Sequence, residues 1–573
     1  MTNFLEVFFT GKYFRIPSYQ RDYAWDIQNI DDLFDDIFEA METNVGHYIG
    51  TFILSQNREE NCYDVVDGQQ RLTTLTMILN SIIEKLSSDT DRIINKDRFI
   101  LSNSSKRWKL ELLGDNNNFF KQLLDGQSVE PINKSQKLLK NAYNHIQWRV
   151  QEIKNSNKEN EFLEFVKQLE VMEFIESNAD KAIRIFQTVN DRGKLLSNVD
   201  KAKSLLIYYS NRLLNGKYDD IINNSFGEIY HYYNDIKELG EKYGINLINQ
   251  RNFSEDSIMR YHFIAFPNGK YDYNATASYV LDVFLKNILK ERKHDSAELE
   301  TFITEYIGDL TLFFKSLLDI VKKIQTSEKY YKIFSILGLS ALLYPLIIRL
   351  ETRGLLDKNT TTKNLTFLDL IEIADVRVYK TRGTDPTKDV SYLACDSKTI
   401  DESEIENRLI GFIKYFMSDT EFKNRLEGDI YGNAALKHVF IEYDEHILES
   451  TNQAPYTLQN LMRLNTINPT IEHIFAQEPR FNFPSRGFGS EDEYITKIHK
   501  LGNLTLLEKN LNSLALNKTP ELKIVDNIYS KSKFKVTEIL NAEIKNRGNN
   551  FVKADVDSRT SELVNFCMNR WAL

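Results

Sequence analysis

The sequence has few cysteines and no long apolar stretch. Its three cysteines, Cys62, Cys395 and Cys567, lie far apart and form no CxxC pair. This argues against a disulfide framework and a cysteine-built zinc site, and is typical of a reducing cytosol. The N-terminus lacks the basic segment and apolar core of a signal peptide, and no run of about 18 apolar residues occurs. We therefore expect a cytoplasmic protein with no membrane partner.

An excess of basic residues is also missing. The net charge of -10 argues against a protein that coats DNA through its overall charge, although a local basic groove would still bind nucleic acid. The hydrophobic content of 42% and aromatic content of 12% indicate packed cores rather than disorder. Since 573 residues exceed what one core usually organises, several domains are expected.

The densest polar cluster in the first half of the chain is DGQQR. It consists of Asp67, Gly68, Gln69, Gln70 and Arg71. Residues 48–54 and 62–66 predict an antiparallel hairpin, and apolar residues recur at helical spacing over 72–86. The motif then lies where a strand enters a helix, and the unpaired N–H groups of a helix start favour a phosphate or carboxylate. A polar turn with Asp67 as the helix cap explains the same residues.

Two further segments of the first 210 residues carry polar chemistry. Residues 14–25, FRIPSYQRDYAW, place aromatic rings beside guanidinium groups, a pairing that stacks bases and binds phosphates. Packing of these rings under the next helix is the alternative. Residues 169–175 could return a strand to the sheet. In residues 185–206, Asn190 and Gly193 bracket a turn and Ser197 or Asn198 caps a helix.

A second chemical centre is expected near the C-terminus. Residues 468–479, NPTIEHIFAQEP, place Glu472 and His473 on a short strand, and three asparagines follow around another strand and a helix start. A ββα-metal nuclease needs metal ligands, a histidine base and an amide that orients it. Neighbours on a strand point to opposite faces, so a shared site requires a strand end or bulge. A buried structural histidine and turn-forming asparagines are the alternative. We expect structural roles for His438, His446 and His499.

Three motifs in the right order resemble the N-terminal, ParB-like domain of the GmrSD-type restriction family. They are PSYQRDYAW, VVDGQQRLTTL and FQTVNDRGKLLSNVDKAKS. IEHIFAQ followed by LGNLTLLEKNLNSLALNKTPELK is similar to the C-terminal HNH domain of the same family. The resemblance implies a predominantly helical α+β protein with a ParB-like domain at 1–215, a helical connecting domain at 216–451 and a ββα-metal (HNH) nuclease domain at 452–573.

The resemblance also implies roles for individual residues. DGQQR would bind and hydrolyse a nucleotide, and the segment Tyr19, Gln20 and Arg21 would sense DNA or its modification. In the HNH domain, the implied residues are His473 as general base, Asn503 as its orienting amide, and Glu472 and Asn512 as metal ligands, with Asn517 as an alternative ligand. Ala476 stands where the family usually has proline, which puts the stiffness of the following loop in doubt.

The implied activity is modification-dependent restriction by a single chain. We expect double-stranded, modified phage DNA as the substrate, nicked or cut with Mg²⁺ or Mn²⁺, under control of GTP or ATP hydrolysis. The assembly state, including a homo-oligomer, is left open. One alternative is a nucleotide-switched DNA-binding or regulatory protein without nuclease activity. Another is sensing of a phosphorothioate in the DNA backbone rather than a modified base.

Overall fold

The fold is known from a computed structural model. It describes residues 2–17, 20, 22–43, 47–57, 60–112, 114–176, 197–267, 272–383, 386–478 and 481–573. Tyr19 and Arg21 of the predicted sensor segment, and the predicted turn at Asn190 and Gly193, lie outside the described residues.

Six strands form a mixed sheet near the N-terminus, in the order β1-β6-β3-β4-β2-β5. They are β1 (Thr2–Phe4), β2 (Phe14–Ile16), β3 (Tyr48–Asn57), β4 (Cys62–Asp67), β5 (Leu110–Leu112) and β6 (Glu170–Glu176). The predicted hairpin is confirmed, because β3 and β4 pair antiparallel. The predicted return strand is also confirmed, since β6 pairs parallel with β3.

Helices account for most of the chain. Those up to residue 323 are α1 (Leu5–Phe9), α2 (Ile27–Thr43), α3 (Gln69–Ile83), α4 (Asp89–Phe99), α5 (Asp115–Leu124), α6 (Lys134–Asn155), α7 (Glu159–Lys167), α8 (Asn198–Leu214), α9 (Asp219–Lys242), α10 (Glu255–Ala265), α11 (Ala277–Tyr279), α12 (Lys286–Arg292) and α13 (Ser296–Lys323). Ser197 caps α8 by accepting a hydrogen bond from the backbone N–H of Asp200, as the sequence predicted.

The remaining helices lie between residues 328 and 570. They are α14 (Glu328–Tyr331), α15 (Tyr344–Thr352), α16 (Phe367–Ala374), α17 (Thr387–Asp396), α18 (Glu402–Phe416), α19 (Asp419–Leu426), α20 (Leu436–Ser450), α21 (Leu458–Thr466), α22 (Glu491–Ile498), α23 (Lys509–Ala515), α24 (Pro520–Val525), α25 (Lys535–Asn546) and α26 (Lys553–Arg570). Segments Val280–Leu285, Lys332–Leu337 and Asp375–Arg382 are π-helical. None of the helices among the described residues is long and apolar enough to span a bilayer.

A second sheet of two antiparallel strands, β7 (Thr470–His473) and β8 (Leu504–Leu507), precedes α23. Glu472 pairs with Thr505, and His473 with Leu504. This part of the chain has its own apolar core, which includes Ile474 and Phe475 just after β7. The strand predicted to carry Glu472 and His473 is therefore present, with His473 as its last residue.

The chain divides into two compact units. One comprises Met1–Asp235 with Leu281–Thr311, and the other Ile236–Val280 with Leu312–Leu573. The predicted fold class, a predominantly helical α+β protein, is confirmed. The boundaries of the three domains expected from the sequence stay a prediction.

Candidate functional site

The DGQQR motif and the segment around Gln20 form one structural site in the first unit. Gln70 accepts a hydrogen bond from the backbone N–H of Ala24 (2.8 Å) and donates one to the carbonyl of Asp22 (3.0 Å). Gln20 donates from Nε2 to the carbonyl of Val66 at 2.9 Å. The two glutamines thus link residues 20–24 to the point where β4 enters α3. The sequence predicted both motifs but not that they touch.

A cavity of about 260 Å³ lies beside this junction. Its described lining comprises Ile16, Pro17, Gln20, Asp22, Tyr23, Gln69, Gln70, Thr73, Leu112, Gly114, Asp115, Asn116, Asn133, Gly227 and His231. Gln69 is only 8% exposed, and its Oε1 has no hydrogen-bond partner among the described residues. Burial raises the pKa of Asp22, which accepts a hydrogen bond from Asn116. The cavity therefore offers amide and carboxylate groups, and no lysine or arginine lies in its described lining.

Asp67 and Arg71 occupy the β3 side of the motif. Arg71 Nη1 lies 3.4 Å from the carbonyl of Thr51, and an alanine Cβ at Gly50 would lie 2.2 Å from the same nitrogen. Burial raises the pKa of Asp67 and lowers that of Arg71, while each charge partly opposes the shift of the other. The residues are thus a half-buried pair of opposite charges on either side of the strand-to-helix turn. Gly68 makes the turn between β4 and α3 with a φ of 90°, a conformation that favours glycine.

His473 is the centre of the second site. Its ring is 7% exposed, and its Nε2 lies 3.0 Å from Nδ1 of His499. The ring of Tyr431 lies 4.3 Å from that of His473 and stacks on His499 at 5.2 Å and 11°. Burial, with His499 and Lys523, lowers the pKa of His473 to about 4. The imidazole is therefore neutral near pH 7 and able to accept a proton.

Asn503 ties together the segments that carry the two histidines. Its Oδ1 accepts from the backbone N–H of Phe475 at 2.9 Å, and its Nδ2 donates to the carbonyls of Phe475 (3.2 Å) and Ile498 (2.7 Å). Phe475 follows His473 by two residues, and Ile498 precedes His499. The amide predicted to orient the base thus acts on the backbone, and the side chain within hydrogen-bond distance of the His473 ring nitrogen is that of His499. Sequence reasoning missed this partner because it assigned the orienting role to the amide of Asn503 and expected a structural role for His499.

The predicted metal ligands each contact other groups of the protein. Glu472 is buried, with Lys523 Nζ 2.6 Å from its Oε1, and burial raises its pKa against the opposing effect of that ammonium group. Asn512 donates to Thr470 Oγ1 at 2.8 Å, whereas Asn517 donates to Glu478 at 3.0 Å. Asn512 therefore contacts the strand that carries Glu472. Since the Lys523 ammonium group already neutralises the Glu472 carboxylate, this arrangement does not present a cation site there.

Glu372, His438 and Glu442 bring three metal-ligand atoms within 4.8 Å of one another. Their charges are already compensated: Arg570 binds Glu372 at 3.0 Å and Glu442 at 2.7 Å. His438 Nε2 and Trp571 Nε1 each lie 2.9 Å from Glu372 Oε1. Burial would raise the pKa of Glu372, but Arg570 and His438 hold it below its usual range. The group is a buried ion-pair network that anchors the end of α26, which agrees with the structural role predicted for His438.

Comparison with protein families gives matches to both ends of the chain. Residues 4–207 match the model of the GmrSD restriction endonuclease N-terminal domain, and residues 416–566 match that of the C-terminal domain. The two matches cover more than half of the chain. The protein belongs to the GmrSD restriction endonuclease family. The first site lies in the matched N-terminal GmrSD region, and His473, His499 and Tyr431 lie in the C-terminal one. A search of curated proteins gives no match.

Proposed function

We propose that this GmrSD family protein is a modification-dependent DNA endonuclease whose HNH-type site lies at His473 and whose DGQQR site controls it through a nucleoside triphosphate. The observation that carries the proposal is a buried histidine at the end of a strand, in the matched C-terminal domain, with one ring nitrogen within hydrogen-bond distance of a fixed partner. The expected substrate is double-stranded, modified phage DNA.

The proposed reaction is hydrolysis of a phosphodiester. His473 accepts a proton from water as the water oxygen attacks phosphorus; a P–O bond forms and the bond to the leaving sugar oxygen breaks. Lys523 donates to the carbonyls of His473 (2.5 Å) and Ile474 (3.0 Å). These bonds fix the end of β7, so the imidazole is held in one place for the proton transfer.

A divalent metal, Mg²⁺ or Mn²⁺, stays a prediction from the family. When bound, such an ion would stabilise charge on the phosphate and the leaving oxygen. The role of Glu472 in holding it is tested by Glu472→Gln, with metal binding measured by calorimetry beside cleavage. Undiminished metal affinity would remove Glu472 from the ligand set, and Asn512→Ala tests the other candidate in the same way.

At the first site, we infer that the cavity takes the base or sugar of the nucleotide. Ligand pockets for whole drug-sized molecules occupy roughly 300–1,000 Å³, so about 260 Å³ suits a fragment of that size. The buried Oε1 of Gln69 lacks a donor among the described residues, and a ligand N–H or O–H would satisfy it. The start of α3, which contributes Gln69 and Gln70 to the lining, supplies backbone N–H groups that attract phosphate.

His473→Ala tests the nuclease assignment. Loss of the base should reduce cleavage by roughly 10²- to 10⁴-fold while DNA binding stays at the wild-type level. His446→Ala is the matched control, because His446 is an exposed histidine of α20. Cleavage by purified His473→Ala at the wild-type rate would refute the assignment. A wild-type protein that binds DNA and nucleotide but cleaves nothing with Mg²⁺ or Mn²⁺ would favour the regulatory alternative.

Asp67→Ala and Arg71→Ala test the nucleotide site. Each should abolish phosphate release from GTP or ATP, because the pair of opposite charges at the motif would lose one member. Unchanged turnover in both variants would reduce DGQQR to a structural turn.

Gln20→Ala tests the sensor. If Gln20 contributes, the variant should bind matched modified and plain duplexes with equal affinity. Unaltered discrimination between the two duplexes would assign sensing elsewhere. A phosphorothioate duplex in the same series separates backbone sensing from base sensing.

A further inference from the structure

The contact between His473 and His499 joins residues 26 positions apart through their side chains. Nε2 of His473 and Nδ1 of His499 are 3.0 Å apart, within the ordinary range of a hydrogen bond between ring nitrogens. The two rings cross at 62° with centroids 5.1 Å apart, so they meet edge to face rather than stacking. The pair is thus directional, unlike an apolar contact between buried rings.

Several independent contacts fix His499. Its carbonyl accepts from the backbone N–H of Ile430 at 3.1 Å, which holds the loop between α19 and α20 against it. Tyr431 of that loop stacks on the His499 ring. On the other side, Asn503 holds the carbonyl of Ile498. Backbone and ring are therefore both restrained, and His499 is a rigid partner for His473.

The hydrogen bond determines which nitrogen of His473 is free to act. Two neutral imidazoles share such a bond only if one ring donates and the other accepts. If His499 donated, His473 would carry its own proton on Nδ1 and would have no lone pair for a water proton. If His473 donates from Nε2, its Nδ1 keeps the lone pair that a general base requires. Only the second arrangement is compatible with the proposed role of His473.

We propose that His499 is a positioning residue that accepts the Nε2–H of His473, so that His473 acts as a base through Nδ1, with Tyr431 holding both rings in place. This inference rests on the proposed nuclease function. It gives His499 the role of fixing the tautomer and ring orientation of the base. Removing such a partner should lower kcat and leave KM unchanged, because His499 orients the base and does not bind DNA.

Two substitutions at position 499 distinguish the effect of the hydrogen bond on kcat from the effect of the aromatic ring. His499→Phe keeps an aromatic ring for Tyr431 to stack on but loses Nδ1. We expect kcat to fall about 10- to 100-fold, the range typical of partners that orient an active group, with KM unchanged. His499→Asn places an amide oxygen near the position of Nδ1 and should restore most of kcat. His446→Phe controls for a histidine-to-phenylalanine change in the same unit.

A spectroscopic measurement makes the test independent of cleavage. In the full-length protein labelled with ¹⁵N-histidine, the signals of His473 are assigned by their loss in His473→Ala. The expected result is the Nε2–H tautomer of His473 in the wild type, and loss of that preference in His499→Phe. A wild-type Nδ1–H tautomer, or a wild-type kcat in folded His499→Phe, would overturn the proposal. Absence of any DNA cleavage by the wild type would instead defeat the proposed function, and the tautomer would still decide the arrangement of the pair.

Discussion

Gly502→Ala is expected to damage the second site through packing alone. Gly502 lies in the short turn Leu501–Asn503 that leads into β8. An alanine Cβ there would lie 2.1 Å from the carbonyl oxygen of Val556 and 2.5 Å from the backbone nitrogen of Thr560. Both atoms belong to the backbone of α26, so no side chain can rotate to relieve the clash. Ordinary contacts begin near 3.4 Å, and the turn must therefore move by more than an ångström.

The size of the effect follows from that displacement. Overpacking a well-filled core costs roughly 1–3 kcal/mol, and occasionally more. Because this clash is with two backbone atoms, we expect a cost near the upper end, about 3 kcal/mol. The turn also donates from Gly502 N–H to Thr560 Oγ1 at 3.1 Å and accepts at Gly502 O from Arg559 Nε at 3.1 Å. Its displacement would weaken these bonds and shift Asn503, so DNA cleavage should fall as well.

The assay is thermal unfolding of the full chain together with DNA cleavage. Gly411→Ala is the control, because Gly411 is exposed in α18 and no atom lies within 4 Å of its added Cβ. That change should be neutral or stabilise the protein by about 0.5–1 kcal/mol. A Gly502→Ala variant with the wild-type unfolding temperature and full cleavage would refute the packing argument. Equal losses of unfolding temperature and cleavage in Gly502→Ala and Gly411→Ala would also refute the packing argument.

Two further predictions concern the second unit. Arg570→Ala should cost about 3–5 kcal/mol, because it leaves the buried Glu372 carboxylate without its main counter-ion. Arg547→Ala, which removes an exposed arginine from its ion pair with Asp555, should cost about 0–1 kcal/mol. Equal shifts in unfolding temperature would contradict this. Burial raises the pKa of Asp375 from 3.8 to about 6, so stability should fall as pH rises from about 4 to about 6, by at most about 3 kcal/mol. Asp375→Asn should therefore unfold at a higher temperature than the wild type at pH 8, and the difference in unfolding temperature should shrink towards pH 4. A difference independent of pH would contradict the raised pKa of Asp375.

Local patterns predicted much of the fold. The β-branched run before Asp67 and the helical spacing after it predicted β4 and α3, because a strand and a helix leave different apolar periods in the sequence. The short strand with Glu472 and His473 was predicted for the same reason. The strand order β1-β6-β3-β4-β2-β5 was not, since it depends on pairings between distant segments that leave no period in the sequence.

The candidate sites were predicted as motifs rather than as contacts. The sequence predicted Gln20 and Gln70 separately, but their hydrogen bonds to Val66, Ala24 and Asp22 arise from strand packing over more than 40 residues. The partner of His473 was missed for the same reason, because His499 follows it by 26 residues without any helical or strand period. Side-chain contacts of this kind depend on the tertiary fold, which no local pattern encodes.

The most direct test of the account is cleavage of a panel of modified and unmodified phage genomes by the wild type and His473→Ala, with Mg²⁺ and each nucleoside triphosphate added in turn. The account predicts that the wild type cleaves one or more modified genomes and spares their unmodified counterparts, that the response depends on the nucleotide, and that His473→Ala is inactive on all. Cleavage that ignores modification, or that persists in His473→Ala, would contradict it.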